Sequence, residues 1–262
     1  MKQPRAGKKY FFFDIAGTLT DDATHRIVPS ARETLKQLRD NGHFTAIATG
    51  RAHYKAVAFT DSIDIHNLVC AGGGCLVVND RIVDSVPLET DKAKTMLRHA
   101  DEAGIGWILM LDDSDSVYMK DLKFLEQAGR RTELTTYHLD PDLDYEKMDA
   151  IYKIYLAVDE EDDRRYLWLK DLGSLRMGKG YRVFQYDKKK DGILRMMKYL
   201  GGDIRDVVVF GDADNDMVMF DPAWFSIAMG NGTEALKAKA DYVTAANVDD
   251  GIMKACRHFG WI

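Results

Sequence analysis

The sequence contains few cysteines and no long apolar run near its beginning. It has three cysteines, at Cys70, Cys75 and Cys256, which are too few for a disulfide framework and lack the close pairing of a zinc site. The apolar run at 10–13 spans only four residues, far short of a signal peptide or a membrane span. We therefore expect a soluble cytoplasmic protein with free thiols.

The sequence also lacks an excess of positive charge. Lys and Arg total 36 against 42 Asp and Glu, which gives a formal net charge of -6. A nucleic acid or an anionic membrane requires clustered basic side chains that neutralise its phosphates. The composition therefore argues against both partners and favours small-molecule chemistry, which we expect from a monomer or a weak homodimer.

Apolar strands alternate with amphipathic helices at both ends of the chain. A strand at 10–13, a helix at 30–41 and a strand at 44–48 form a βαβ unit, which implies parallel strands with a right-handed crossover. The alternation returns near the C-terminus. Helices are predicted at 193–200, from Met217 onward and at 233–239, and strands at 207–210 and 225–229. The two stretches predict an α/β fold with a Rossmann-like, doubly wound parallel core sheet.

The middle of the chain has a different pattern, with a hairpin, a helix and further strands. These elements are predicted at 75–88 around Asn79 and Asp80, at 91–103, at 107–111 and at 151–158. A chain of 262 residues is also long enough for a second domain. We therefore expect a core formed by residues 1–82 and 185–262, with an inserted α+β domain at 83–184.

Three predicted core strands end in polar residues. Asp14 follows the first strand, Thr49 to Arg51 follow the second, and Asp212 follows the strand at 207–210. Because the carboxyl ends of parallel strands lie along one edge of a sheet, where open α/β proteins bind ligands, we expect these residues to form one site.

Further charged residues near these strand ends indicate the chemistry of the site. Asp214 and Asp216 form a second acidic pair, and the run 188–190 offers a lysine. Carboxylates combined with water and phosphate oxygens suit the octahedral coordination of Mg²⁺, whereas the seven histidines show no ligand spacing. A carboxylate at a strand end can also be the nucleophile that forms an aspartyl phosphate, with metal and lysine offsetting phosphoryl charge.

Three segments resemble motifs of the haloacid dehalogenase (HAD) superfamily, and they occur in the family's order. FFFDIAGTL at 11–19 resembles the first motif, in which a strand ends in D-x-D-G-T. IATGR at 47–51 resembles the second motif, and GDADND at 211–216 resembles the fourth. Any one of these motifs is weak, but the three together are highly specific.

The insertion resembles the type IIB cap of Cof-like sugar phosphatases, because it lies between the second motif and the lysine motif. AMGNG at 228–232 and ADYVT at 240–244 are also similar to that branch. The resemblance implies Mg²⁺-dependent hydrolysis of small phosphomonoesters, with sugar phosphates as the expected substrates and a small phosphorylated metabolite as the partner.

The resemblance also implies roles for individual residues that bind or attack phosphate. Asp14 is expected to be the nucleophile. Thr49 is expected to bind the phosphate, with Gly50 and Arg51 beside it in the same motif, and Asn215 to face the phosphate.

The expected metal ligands are Asp14, Asp212, the supporting Asp216 and the backbone carbonyl of Ala16. The catalytic lysine is expected to be Lys189, because the following helix and its Leu-Gly end align best with that position. Lys188 and Lys190 remain open as alternatives one residue away.

The chain departs from the first motif at position 16, where the family has a second aspartate. That aspartate protonates the leaving oxygen and then activates water, and such acid/base catalysis contributes about 10² to 10⁴-fold. Ala16 has no ionisable group, so we expect impaired turnover with ligand binding retained.

Three explanations of Ala16 stay open: an inactivating substitution in an ordinary phosphatase, a natural relative that only binds phosphorylated metabolites, or different proton chemistry. Phosphonoacetaldehyde hydrolase, another HAD member, carries alanine here. It relies on a lysine from a small helical cap, and the segment between Gly17 and Thr49 is too short for such a cap.

A second departure follows the third core strand. Cof-like members often have Asn-Gly-Ala at this place, whereas this chain has Cys70-Ala71-Gly72-Gly73-Gly74. The glycines either permit a close approach of the backbone to substrate or supply a flexible turn. Both interpretations stay open at the level of sequence.

Overall fold

The structure is a computed structural model that describes residues 3–131, 133–166, 168, 172, 174–176 and 180–262. Contacts between Cα atoms divide the chain into two compact units. The first unit comprises Met1–Asp84 and Lys188–Ile262, and the second comprises Ser85–Asp187.

The described residues form fourteen strands and eight α-helices. The strands are β1 (Tyr10–Phe13), β2 (Phe44–Ala48), β3 (Leu68–Cys70), β4 (Cys75–Val78), β5 (Arg81–Ser85), β6 (Trp107–Met110), β7 (Ser116–Met119), β8 (Thr136–Leu139), β9 (Lys153–Leu156), β10 (Ser174–Arg176), β11 (Arg182–Gln185), β12 (Val207–Gly211), β13 (Phe225–Ala228) and β14 (Tyr242–Val243). The helices are α1 (Pro29–Asp40), α2 (His53–Ser62), α3 (Thr90–Glu102), α4 (Lys123–Ala128), α5 (Asp162–Arg165), α6 (Lys189–Leu200), α7 (Glu234–Lys239) and α8 (Gly251–His258).

The first unit is built on a sheet with the order β14-β13-β12-β1-β2-β3-β4-β5. The strands from β14 to β3 are parallel to their neighbours, and β4 runs antiparallel to β3. The predicted α/β class with a parallel core sheet is therefore confirmed. The turn between β4 and β5 has positive φ at Asn79 (49°) and Asp80 (63°), as expected for a tight hairpin.

The central strand β1 is apolar on both faces because helices cover the sheet on both sides. Phe11 and Phe13 belong to a buried cluster with residues of α1 and α8, whereas Phe12 packs with Ile193 and Met196 of α6. The side chains of all three phenylalanines are 0% exposed. A continuous apolar run of this kind is typical of a strand in the middle of a parallel sheet.

The second unit is an α+β structure with its own core. Its sheet has the order β10-β11-β9-β6-β7-β8, in which only the β7–β8 pair among the described pairs is parallel. Met96 and Leu97 of α3 pack against Leu109 and Ile154 on one face of this sheet.

Two helices of the first unit differ from the sequence-based prediction. Helix α6 begins at Lys189, four residues before the predicted start, although no side-chain cap marks that position. The helix predicted from Met217 onward is instead a 3₁₀ turn at Asp214–Met219. Pro222 lies just beyond this turn and disfavours helical backbone in the residue before it.

All three cysteines are buried thiols outside any disulfide. Among the described residues, none of the helices combines the length and the apolar character that crossing a bilayer requires.

The double burial of β1 predicts a large cost for shortening its side chains. Phe12→Ala should lower the free energy of unfolding by about 3–5 kcal/mol, because it leaves a cavity against α6. Urea unfolding measures this change, and Ile82→Ala, whose parent side chain is 46% exposed, is the control and should change stability by less than about 0.5 kcal/mol. Equal losses in both variants would contradict the assignment of Phe12 to the core.

Candidate active site

Parallel pairing brings three strand ends to the same level of the sheet. Phe13 lies opposite Ile47 on one side and opposite Phe210 on the other. The backbone continues this register, since the Asp14 N–H donates to the Phe210 carbonyl at 3.1 Å. The residues that follow β1, β2 and β12 therefore share one edge.

Three carboxylates meet at this edge. Asp14, Asp212 and Asp216 each offer an oxygen that lies within 4.8 Å of those of the other two. Asp14 and Asp216 are buried, and Asp212 is partly exposed. Like charges at such distances are stable only when a cation or protons compensate them.

Lys189 supplies part of this compensation. Its ammonium donates to Asp14 Oδ1 at 3.0 Å and to Asp216 Oδ1 at 2.8 Å, and its side chain is 2% exposed. Lys190 instead pairs with Asp221 at 2.6 Å, away from this cluster. Lys188 is exposed. Of the three lysines that the sequence left open, the structure thus brings Lys189 to the carboxylates.

Asp216 is held by backbone donors as well as by the lysine. Its Oδ2 accepts hydrogen bonds from the N–H groups of Asp212 (3.1 Å) and Ala213 (3.4 Å), and its side chain is fully buried. Gly211 makes this approach possible, since a Cβ there would lie 2.8 Å from the Asp216 Cβ. Asp216 therefore fixes the loop after β12.

Asp214 lies outside the site, contrary to the interpretation that paired it with Asp216. Its carboxylate accepts a hydrogen bond from Thr233 Oγ1 at 2.9 Å, just before helix α7. Two acidic residues at spacing i, i+2 therefore point to different partners, which the sequence pattern did not indicate.

Asp212 is positioned by residues of the first motif that were given no role from sequence. The Thr18 hydroxyl donates to Asp212 Oδ1 at 2.8 Å. Gly17 has a φ of 72°, and a Cβ at this position would lie 2.1 Å from Asp212 Oδ2. The Gly17-Thr18 pair of the first motif was the available signal in the sequence. A glycine permits close contact with a neighbouring side chain, and a threonine supplies a hydroxyl donor.

Asn231, within AMGNG, is a second residue that the sequence left without a role. Its amide donates to the Gly17 carbonyl at 2.8 Å, and its Oδ1 accepts from the Asn247 N–H at 3.0 Å. Asn247 in turn donates to the Thr20 carbonyl at 2.7 Å. These bonds tie the loop after β1 to the loops after β13 and β14.

The other expected site residues lie along the same edge in different environments. Thr49 is buried, and its Oγ1 accepts from the Arg51 N–H at 3.2 Å, so the hydroxyl proton remains available for donation. Gly50 is partly exposed, and Arg51 is exposed. Asn215 is exposed, with its amide 3.5 Å from Asp216 Oδ1.

Ala16 is the one exposed residue between positions 11 and 20. Its backbone forms an isolated bridge with Thr20. The side chain at this position therefore faces away from the core, as a group that reacts with a ligand must.

The electrostatics of the carboxylates reflect their burial. Burial raises the pKa of Asp14 from 3.8 to about 6; the Lys189 ammonium opposes this, and the Asp216 charge adds to it. Burial likewise raises the pKa of Asp212 to about 7, against the hydrogen bond from Thr18. Burial disfavours the Lys189 ammonium, but the two carboxylates outweigh it and raise the pKa of that lysine. The cluster therefore favours a further positive charge.

Comparison with known proteins places this geometry in a family. The sequence profile of haloacid dehalogenase-like hydrolases matches residues 11–256. YkrA of Bacillus subtilis (strain 168), provisionally named a phosphatase, is 29% identical over 255 residues, which cover 96% of this chain and 98% of YkrA.

Two further proteins are similar over nearly the full length. The 5-amino-6-(5-phospho-D-ribitylamino)uracil phosphatase YitU of the same organism is 26% identical over 265 residues, covering 94% of this chain and 95% of YitU. The solved structure of the HAD subclass IIB sugar phosphatase BT4131 has a TM-score of 0.73 at 26% identity, covering 97% of this chain and 100% of that chain. This chain thus belongs to the haloacid dehalogenase-like hydrolases, and the relatives it resembles are named phosphatases.

Proposed function

We propose that this protein is a Mg²⁺-dependent phosphatase of small phosphomonoesters, with sugar phosphates as the substrate class and Ala16 as the cause of reduced turnover. The observation that carries the proposal is the Lys189 ammonium between Asp14 and Asp216, in a cluster that also contains Asp212. The substrate class is supported by the names of the similar proteins, which act on a sugar phosphate and on a phosphoribityl compound.

The donor set of the cluster fits Mg²⁺. Three carboxylates within 4.8 Å offer oxygen ligands only, which is the preference of this ion. We assign Asp14, Asp212 and Asp216 to the metal site, together with the backbone carbonyl of Ala16. When bound, Mg²⁺ would supply a fixed positive charge that offsets charge on the phosphoryl oxygens.

The reaction begins with Asp14. Its carboxylate oxygen forms a bond to phosphorus while the bond between phosphorus and the ester oxygen breaks, which gives an aspartyl phosphate and a departing oxygen that must take up a proton to leave as an alcohol. Lys189 offsets the charge of the transferring group, and the Thr49 hydroxyl donates to a phosphoryl oxygen. Arg51 and Asn215 are exposed beside this position and contribute substrate contacts together with Gly50.

Both halves of the reaction need a proton carrier, and this chain lacks one at position 16. The departing oxygen needs a proton, and the water that attacks the aspartyl phosphate must lose one. The exposed methyl group of Ala16 can do neither. In the proposal, ligand binding is therefore retained, while transfer from esters with a poor leaving group and hydrolysis of the aspartyl phosphate are both slowed.

The second unit is assigned the role of a cap in this proposal. The chain leaves the first unit after Asp84 and returns at Lys188, close to the boundaries expected for a type IIB insertion. Its role would be to exclude water during transfer and to select the leaving group. The similarity to a subclass IIB phosphatase supports this assignment.

A second candidate function follows from Ala16 alone. A chain that keeps Asp14, Thr49, Lys189 and Asp212 but carries no proton donor at position 16 can hold Mg²⁺ and a phosphorylated metabolite without turnover. The test at position 16 below separates this binding protein from an impaired enzyme.

Removal of one carboxylate should weaken metal binding. Asp212→Asn is expected to lower the Mg²⁺ affinity at least about tenfold, because the variant loses a charged ligand. Isothermal titration with MgCl₂ measures the loss. Asp214→Asn is the matched control, since that carboxylate bonds to Thr233 and its variant should bind like the parent. Equal affinity of all three proteins would remove Asp212 from the metal site.

The raised pKa of Asp212 predicts a pH dependence of stability in the metal-free protein. The pKa is about 7 in the folded state against 3.8 as its ordinary value, so folding takes up a proton in this window. The resulting stabilisation is present at low pH and is lost as pH rises through about 7.

Asp212→Asn cannot titrate, so its thermal midpoint in EDTA should change less with pH between about 4 and about 7 than that of the parent. Scanning calorimetry measures both curves. Asp203→Asn is the control, because Arg205 lowers the pKa of Asp203 and the carboxylate stays ionised throughout this range. Parallel curves for the parent and Asp212→Asn would contradict a raised pKa of Asp212 in the folded state.

Restoring a carboxylate at position 16 should restore turnover. Ala16→Asp is expected to raise kcat on hexose phosphates or p-nitrophenyl phosphate by at least about 10²-fold, the usual size of an acid/base contribution. Ala16→Asn has the same size without a transferable proton, and should leave kcat near that of the parent.

The parent should also show a burst with p-nitrophenyl phosphate, because its leaving group needs no proton while dephosphorylation lacks a base. If Ala16→Asp and Ala16→Asn turn over every phosphomonoester equally slowly while ligand binding persists, the binding-protein function is the better assignment.

A further inference from the structure

The turn between β3 and β4, residues 71–74, contacts two of the segments that form the candidate site. On one side, its N–H groups donate to the second motif: Ala71 to the Arg51 carbonyl at 2.6 Å and Gly72 to the Thr49 carbonyl at 3.2 Å. The turn therefore helps to hold residues 49–51, which the proposed function assigns to phosphate binding.

On its other side, the turn accepts hydrogen bonds from the chain that returns from the second unit. The Lys188 N–H donates to the Gly72 carbonyl at 2.8 Å, and the Arg195 guanidinium donates to the Gly73 carbonyl. Lys188 is the first residue of the returning chain. The turn thus links the second motif to the start of helix α6.

The contact between the turn and α6 requires glycine on both sides. Gly73 has a φ of 99°, and a Cβ there would lie 2.5 Å from the Lys188 carbonyl oxygen and 2.9 Å from the Lys189 Cα. A Cβ at Gly192, one turn along α6, would lie 2.8 Å from the Gly73 Cα. Backbone therefore packs on backbone, and a methyl group at either position must displace the helix or the turn.

A left-handed backbone conformation accounts for the glycine at position 72 of this turn. Gly72 has a φ of 66° and a ψ of 20°, the left-handed region that glycine and asparagine adopt most readily. The glycine-rich turn packs against α6 and is not merely a flexible connection.

This contact fixes the position of the Lys189 backbone, from which the side chain extends to the carboxylates. Helix α6 has no side-chain cap at Lys188, so the bond to Gly72 and the packing on Gly73 fix its first residue. The Lys189 ammonium must then reach Asp14 at 3.0 Å and Asp216 at 2.8 Å. A displacement of about 1 Å in a reacting constellation can cost about 10²-fold in rate.

We propose that Gly73 is a positioning residue for Lys189: by lacking a Cβ, it seats the first turn of α6 so that the ammonium lies between Asp14 and Asp216. The expected effect on kcat rests on the proposed phosphatase function. Its geometric part concerns the contact of Lys189 with Asp14, which can be measured without turnover.

The test compares Gly73→Ala with Gly201→Ala, which lies at the opposite end of the same helix. Gly201 has a φ of 64°, and a methyl group added there would meet no atom of the described residues within 4 Å. Its alanine variant therefore carries the backbone strain without the clash. Thermal midpoints of both variants are measured first, so that lost stability is accounted for separately.

In crystal structures, Gly73→Ala should show the Lys189 ammonium displaced from Asp14 by about 1 Å or more, while Gly201→Ala should show it in place. With p-nitrophenyl phosphate and Mg²⁺, in the parent and in the Ala16→Asp background, Gly73→Ala should lower kcat at least about tenfold with KM within about threefold. Gly201→Ala should leave both constants within about twofold.

An unmoved Lys189 in Gly73→Ala would overturn the proposal, and so would equal losses of kcat in the two glycine variants. If no protein in the series turns over a phosphomonoester, the proposed function fails, and the crystal structures alone decide the positioning role. If Gly73→Ala does not fold, Gly192→Ala disturbs the same contact from the helix side and takes its place.

Discussion

The ion pair of Lys189 with Asp14 and Asp216 is the interaction on which the rest of the site depends. All three side chains are buried, and a buried charge is stable only when it is paired and hydrogen-bonded. Burial raises the pKa values of Asp14 and Asp212, and the neighbouring carboxylates add to this because one ammonium cannot balance three of them. The site thus keeps an excess of negative charge, which favours a further cation.

Hydrogen bonds from backbone and side-chain donors hold the members of this site in place. The N–H groups of Asp212 and Ala213 fix Asp216, and the Thr18 hydroxyl fixes Asp212. Asn231 fixes the loop that carries Gly17. Hydrogen bonds therefore join four loops that are distant in sequence into one polar network.

The sequence was sufficient to predict those parts of the site that depend on local pattern. One buried run ends at Asp14 and another ends before Asp212, which indicated parallel strands whose ends meet. The three motifs indicated the family. The choice among Lys188, Lys189 and Lys190 was open because the run itself has no distinguishing pattern. The choice depends on the start of α6, which a contact with Gly72 and Gly73 sets across a long sequence separation.

Asp214 and Asp216 illustrate the same limit. Both are acidic residues of one 3₁₀ turn. They lie in different environments because Asp216 accepts hydrogen bonds from backbone N–H groups, whereas Asp214 accepts one from Thr233. Propensity and periodicity describe a residue and its neighbours along the chain. They do not describe a hydrogen bond that a residue makes with a distant loop.

Helix α6 also anchors both points at which the insertion joins the first unit. Lys188 bonds to the turn at the start of the helix, and Arg195 forms an ion pair with Asp84 at 3.0 Å. Arg195 lies seven positions after Lys188, about 10 Å along the helix axis. The points at which the chain leaves and re-enters the first unit are thus held by one helix. A displacement of α6 therefore moves the start and the end of the insertion together.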